Sequence, residues 1–220
     1  MAHQSALQRV PTLEILHETP RLDQLLDRPK VVALSAHAAW HTSIAVRSDQ
    51  ISAAEDLVCR RYSWRGYRIG AEAASAAPCS EDGSRVVLLA QNAGRLMGTL
   101  TVRRDTPRGL LAENAYPDEV QEMRGAGRRL GELVQLAIEE GADWRGALDA
   151  LVQSAYLVTR VIQGLTDVVI EVNPRHVRFY QRVFGFVVAA AERFCERAAA
   201  PCVLLSLDLE RFGQRLQFAA

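Results

Sequence analysis

A carboxylate inside an apolar strand is the first sign of chemistry in this chain. Glu132 stands among Leu130, Leu133, Leu136 and Ile138, and burying a carboxylate there is costly unless it is paired or put to work. Such a setting raises its expected pKa and suits it to proton transfer. Tyr180 is a second proton-carrying group, on a stretch where Val177, Tyr180 and Phe184 recur at helical spacing. An outward-facing edge position for Glu132 and a core aromatic for Tyr180 are the structural alternatives. Arg61 and Tyr62 lie in an arginine- and aromatic-rich string, CRRYSWRGYRIG. There a guanidinium fork could contact phosphate or carboxylate, or simply be solvated beside packed rings. None of Cys59, Cys79, Cys195 and Cys202 has a base beside it, and no CxxC pair or Cys/His group has metal-ligand spacing. Neither an enzyme nucleophile nor a metal site is therefore expected, and the cysteines are expected to be reduced.

The elements that must hold these groups are clearest between Asp167 and Phe186, DVVIEVNPRHVRFYQRVFGF. Val168, Val169, Ile170 and Val172 predict a buried strand. Asn173 is placed as an N-cap and Pro174 at the first helical position, where its missing N–H costs nothing. Gly185 is placed to end the helix in a left-handed conformation, and Phe186 opens another apolar run. Upstream, Leu130–Ile138 predicts the strand bearing Glu132. An amphipathic helix is expected over residues 145–163, through Leu148, Leu151, Val152, Ala155, Val158 and Ile162 and stopped by Gly164. A hairpin is expected from Val86–Ala90 through Asn92-Ala93-Gly94 to Leu96–Val102, with Gly98 marking a bulge or a close approach.

The remaining elements are a strand at Thr42–Val46, a helix capped by Ser48 or Ser52 and running to Tyr62, and a short helix at Pro117–Arg124. Strands are expected at Val187–Ala191 and Val203–Leu209. Residues 71–84 read as a loop and 210–220 as a short polar end. Residues 1–41, interrupted by Pro11, Pro20 and Pro29, are expected to form an N-terminal arm or extension to a domain at 42–220.

Whole-chain properties exclude some partners. Formal net charge is zero over 220 residues, so nothing global favours nucleic acid or an anionic membrane. No apolar run approaches the ~20 residues needed to span a bilayer, and no basic-then-apolar leader is apparent. A cytoplasmic location is expected.

The string VNPRH-x-x-FY-x-R-x-x-GF resembles the C-terminal signature of the GNAT acyltransferase superfamily. Its fuller form resembles the bacterial long-chain N-acyl amino acid synthases, relatives of the acyl-homoserine-lactone synthases. GRLMGTLTV resembles the central GNAT hairpin, Gly127-Arg128-Arg129 with the strand after it resembles the synthases' glutamate-bearing strand, and Arg61-Tyr62 match their Leu-Arg-Tyr-rich string. The resemblance covers residues 42–209 and implies an α/β fold of GNAT type: a mixed central sheet with splayed parallel strands, flanked by helices. It implies transfer of an acyl group to an amine within that splay. Glu132 would take the amine proton, directly or through a water, and Tyr180 would protonate the leaving thiolate. Arg61, Tyr62, Arg145, Asn173 and His176 are the implied substrate-binding residues. CoA-using relatives place an Arg/Gln-x-x-Gly-x-Gly/Ala turn after the glutamate strand, and this chain has GADWRGALDALV there. That departure implies a donor on the phosphopantetheine of acyl carrier protein, with no bound cofactor and an amino acid as acceptor. The carrier is acidic, so Arg124, Arg128 and Arg129, or else Arg175, Arg178 and Arg182, would dock it. A CoA-dependent transferase acting on a small amine or peptide is the alternative enzyme, and a non-catalytic module binding an acylated carrier or lipid is the alternative outside enzymes.

Overall fold

The computed structural model describes residues 33–37, 40–63, 83–141 and 143–218. Among them, eight strands make one sheet: β1 (Ala33–His37), β2 (Trp40–Ile44), β3 (Arg85–Asn92), β4 (Arg95–Arg104), β5 (Leu130–Ile138), β6 (Asp167–Val172), β7 (Val187–Cys195) and β8 (Ala200–Asp208). Their order is β1-β2-β3-β4-β5-β6-β8-β7. Every neighbouring pair is antiparallel except β5 with β6, which run parallel. The parallel step needs a crossover, supplied by α3 (Trp144–Tyr156) and a π-helical turn at Leu157–Ile162. Two further helices, α1 (Ser48–Ser63) and α2 (Pro117–Gly125), follow β2 and β4, and α4 (Val177–Phe184) and α5 (Leu209–Phe218) follow β6 and β8. β1 pairs within the stretch expected as an arm, and α5 replaces the expected polar tail, burying Leu209 and Phe212. The string beyond Ser63 and nearly all of the expected loop at residues 71–84 lie outside the described residues.

Local chemistry accounts for most boundaries. In the β3–β4 hairpin Ala93 and Gly94 both have positive φ, 47° and 76°, as a two-residue turn matched to strand twist requires. Gly98 lies beside the register shift of that pair, and a Cβ there would sit 3.1 Å from Leu151 Cδ1. Both expectations for that glycine therefore hold. The start of α1 is closed by Gln50, whose Oε1 accepts from Val46 N and Arg47 N at 3.0 and 3.1 Å, whereas Ser48 and Ser52, the expected caps, lie within the helix. Asn173 Oδ1 accepts from Arg175 N at 3.3 Å, and a 3₁₀ turn at Pro174–His176 leads into α4. Gly185 ends α4 at φ +83°.

β5 controls which side chains face which layer. On one side of the sheet α3 packs with α4 and α5; on the other lie α1 and α2. Leu130 and Glu132 point to the α2 side, where Leu130 joins Leu110, Tyr116, Val120, Val169 and Leu204. Past Gln135, whose φ is +57°, the register with β4 shifts. This bulge adds one residue, so Leu133, Leu136 and Ile138 all pack with the α3 side while Ala137 meets Leu57 and Val58 of α1.

Glu132 is fully buried. Its two oxygens accept from Leu111 N and Ala112 N, each at 2.9 Å, at the start of a 3₁₀ turn (Leu111–Asn114), and Arg103 Nε lies 4.0 Å away. Burial pushes its pKa up to about 7, opposed by the Leu111 N–H and aided by the nearby charge of Glu171. The folded protein therefore holds a proton that the unfolded chain has released, so this residue's contribution to stability falls as pH rises from about 4.5 to about 7. Glu132→Gln offers one acceptor to two donors and is expected to lower unfolding free energy by about 1–3 kcal/mol at acidic pH. The deficit should narrow as pH rises from about 5 to about 7 and level off above that, because the variant escapes the wild-type decline. Denaturant titrations of both proteins between pH 5 and 8 check this, and parallel pH profiles would contradict it.

Candidate active site

β5 and β6 are joined through only three residue pairs, Leu130–Asp167, Gly131–Val168 and Glu132–Val169. Beyond Glu132 and Val169 the two strands part, and the β6-facing backbone of β5 has no partner in β6. A cavity of about 640 Å³ occupies the parting. Consecutive residues Leu133 to Gly141 line it from β5 and the turn after it, with Val168, Ile170, Glu171 and Val172 opposite. Backbone N–H groups released by the parting are the kind of fixed donor that stabilises charge developing on a carbonyl oxygen.

The cavity passes through the sheet, and its two ends differ in chemistry. On the α3 side it is apolar, walled by Leu148, Val152, Tyr156, Phe184, Phe186 and Phe212 among others. On the α2 side it meets Glu171, Cys195, Arg197 and Cys202. Arg197 Nη2 donates to Glu171 Oε2 at 2.5 Å, and Cys202 Sγ lies 3.7 Å from Glu171 Oε1. Cys195 and Cys202 share a hydrogen bond that holds the Cys195 thiol down, to about 6, and pushes Cys202 up. Such a pair titrates as a unit. Glu171, Cys195 and Cys202 present three ligand atoms within 4.8 Å of one another, a grouping that spacing in sequence did not suggest. Arg197 already supplies a positive charge to that carboxylate.

Five of the residues singled out from sequence come together on this cavity: Arg61, Tyr62, Asn173, His176 and Tyr180. Tyr180 is half-buried among rings, 5.4 Å from Phe179, 6.1 Å from Phe184 and 5.8 Å from Phe186 between centroids. Arg61 donates to Glu140 at 3.1 Å, beside the Arg60–Glu139 pair at 2.9 Å. His176 Nε2 accepts from Arg175 Nε at 3.1 Å. Arg145 is exposed and stacks over Trp144, its guanidinium carbon 5.3 Å from the ring centroid. Trp144, 46% exposed, meets Phe179 at the solvent edge of the cavity.

The other residues lie elsewhere. Glu132 is not among the lining side chains, because it points to the α2 side below the level where the strands part. Its two oxygens already serve the 3₁₀ turn, so direct contact with a substrate in the cavity is closed to it. Arg124 places its fork on Asp105 (2.7 Å) and Glu113 (2.6 and 2.9 Å), an internal network rather than a docking surface. Arg128 reaches Asp167 and Asp208 at 3.2 and 3.6 Å, and Arg129 Nε donates to Gly164 O at 2.7 Å. Sequence reasoning passed over Glu171, although the cue that singles out Glu132, a carboxylate within an apolar strand, applies equally to VVIEV. Arg197 carries no local signal; only the β7–β8 hairpin brings it to β6.

The start of α3 bears on what the cavity binds. Asp143 caps it, its carboxylate accepting from Gly146 N at 3.3 Å. The Trp40 indole lies so close to Gly146 that a Cβ there would collide with Nε1. A carboxylate and an indole thus cover a helix end that could otherwise receive an anion.

Comparison with known proteins agrees with this geometry. FeeM, an N-acyl amino acid synthase from uncultured soil microbes, superposes with a TM-score of 0.71 at 24% identity, covering 82% of this chain and 96% of that one. A protein assigned to the GNAT family from Desulfovibrio desulfuricans gives 0.51 at 17% identity over 78% of this chain and 99% of its own. The spermidine/spermine N-acetyltransferase SpeG from Vibrio cholerae gives 0.55 at 12% identity over 82% and 99%. These likenesses establish a GNAT acetyltransferase-like fold. Curated proteins offer no match at the sequence level. Residues 53–208, which span β3 to β8 and all of the described cavity residues except Leu209 and Phe212, match the family "N-acyl amino acid synthase FeeM", and the chain belongs to that family of N-acyltransferases.

Proposed function

We propose that this synthase takes a long-chain fatty acyl group from acyl carrier protein and joins it to the amine of an amino acid. The observation that carries the donor assignment is the covered start of α3. A CoA pyrophosphate would need free N–H groups there and no adjacent negative charge. Asp143 takes up the Gly146 N–H and adds a carboxylate, Trp40 packs against the same turn, and Glu139 and Glu140 precede it. An acyl-phosphopantetheine brings no adenosine diphosphate to that position. The apolar wall from Leu148 to Phe212 suits the acyl chain, and the thioester would lie where β5 and β6 part.

In this reading Tyr180, on the cavity wall, protonates the departing thiolate. Glu132 receives the amine proton only through an intervening water and the neighbouring Glu171 side of the site, since its own oxygens are held by Leu111 and Ala112. An ionisation near neutrality is what such a relay needs. Asn173 keeps the strand-to-helix corner in shape, and His176 and Arg61 line the approach. The exposed arginines Arg145, Arg175, Arg178 and Arg182 sit on α3 and on the turn and helix α4, whose Trp144 and Phe179 meet at the cavity edge. They favour docking of the acidic carrier on this face over the Arg124 face, where Arg124 is internally paired. No helix of the described residues is long and apolar enough to cross a membrane.

Matched assays with acyl carrier protein and CoA thioesters of the same long chain test the donor. Turnover with the carrier is expected to exceed that with CoA, and a preference for short acyl-CoA would sink the proposal. Tyr180→Phe should cut kcat by ~10²-fold with either thioester, as lost general-acid assistance predicts. A loss under about threefold would remove the tyrosine from the reaction. Reversing Arg175, Arg178 and Arg182 to Glu should raise KM for the acylated carrier and flatten its increase with salt, read from KM at low and physiological ionic strength.

A further inference from the structure

The cavity has one end whose occupant the acyl chain does not explain. Two arginines line it among the described residues. Arg61 is at the α1 side and donates to Glu140. Arg197 is at the α2 side, in the turn between β7 and β8. Its Nη2 binds Glu171, yet its Nε is buried and has no hydrogen-bond partner. A buried guanidinium N–H without a partner is costly, and the group that would satisfy it must carry an acceptor oxygen. The fork of an arginine matches a carboxylate in particular, because two parallel N–H donors meet two coplanar oxygens.

We infer that Arg197, oriented by Glu171, binds the α-carboxylate of the amino acid acceptor, so that this end of the cavity selects amino acids over amines lacking that group. The inference deepens the family activity and rests on it, but not on which thioester is the donor. An amino acid offers a carboxylate and an ammonium a few bonds apart. Arg197 faces the first, and Glu171, on the same wall, can accept from the second before its proton leaves. The acyl end lies on the opposite side of the sheet, so the two substrates approach the gap from different faces and meet where β5 and β6 separate. Cys195, Cys202 and the small residues Ala198 and Ala200 complete this end. The Arg197–Glu171 pair is itself neutral, so a zwitterion can enter beside it with each of its charges facing an opposite one.

Calorimetric binding of N-dodecanoylglycine and of its primary amide tests this without any donor. The wild type should bind the carboxylate form at least ~10-fold tighter than the amide, about what one bidentate charged contact supplies. Arg197→Gln should weaken the carboxylate form to the level of the amide and leave the amide unchanged. Because that variant strands Glu171 in a buried site, the double variant Glu171→Gln/Arg197→Gln, which removes both charges at nearly constant volume, should show the same loss of preference. Equal binding of the two compounds by the wild type, or a preference that survives in either variant, would overturn the inference. A result favouring CoA over carrier protein in the donor assays would leave these outcomes unaltered.

Discussion

Three pairs of residues join β5 to β6, and the cavity between the two strands depends on the pairing stopping there. A parallel pair that parts midway exposes backbone donors and acceptors inside the protein, an arrangement that persists only if the surroundings hold the strands apart. The bulge at Gln135 turns Leu133, Leu136 and Ile138 together toward α3, so a continuous apolar layer forms on that side of the opening. At the closed end, Glu132 ties the 3₁₀ turn after β4 to β5 through two backbone hydrogen bonds. At the open end, α4 and its ring cluster fill the space beside β6. The gap is thus bracketed by a buried carboxylate on one side and by aromatic packing on the other.

The two sides of the gap follow from the alternation of a strand. In β6, Val168, Ile170 and Val172 join the layer beneath α3 and α4, whereas Val169 and Glu171 face the α2 side. A single strand therefore gives the cavity an apolar wall and a charged wall. Glu171 could not keep its charge there alone; Arg197, from the β7–β8 turn, compensates it at 2.5 Å. Charge is compensated in the same way around the mouth, where Arg60 and Arg61 meet Glu139 and Glu140. Zero net charge on the whole chain conceals this pairing, and the distribution of arginines matters more than their number.

Capping chemistry is what the proposed preference for a carrier-bound donor rests on. The same helix end that can hold a pyrophosphate through free N–H groups is here occupied by Asp143 and abutted by Trp40. Missing glycines in GADWRGALDALV pointed to an altered donor site, but not to what stands in it. The structure adds a carboxylate, which opposes an anionic ligand more strongly than the absence of a glycine turn would.

Much of the local architecture was legible from residue order. Asn173, Pro174 and Gly185 mark the ends of the turn and helix after β6, Ala93-Gly94 marks the hairpin, and the apolar runs mark the central strands, because each depends on φ, on a cap or on periodicity within a few residues. The family signature in VNPRHVRFYQRVFGF was legible for the same reason, and Tyr180 and His176 do line the cavity. β1 and α5 were missed: β1 is only five residues long and is held by pairing with β2, and α5 sets Leu209 and Phe212 among charged residues, so that their burial shows only in the fold. Only tertiary structure decided which charges meet. Arg124 serves Asp105 and Glu113, 19 and 11 residues away, and Arg197 reaches Glu171 across 26. Those partnerships are set by strand register, by one bulge and by the packing of a hairpin. A sequence determines where its chain will bend and which faces are apolar, but the identity of a buried charge's partner is fixed only when distant strands are brought into register.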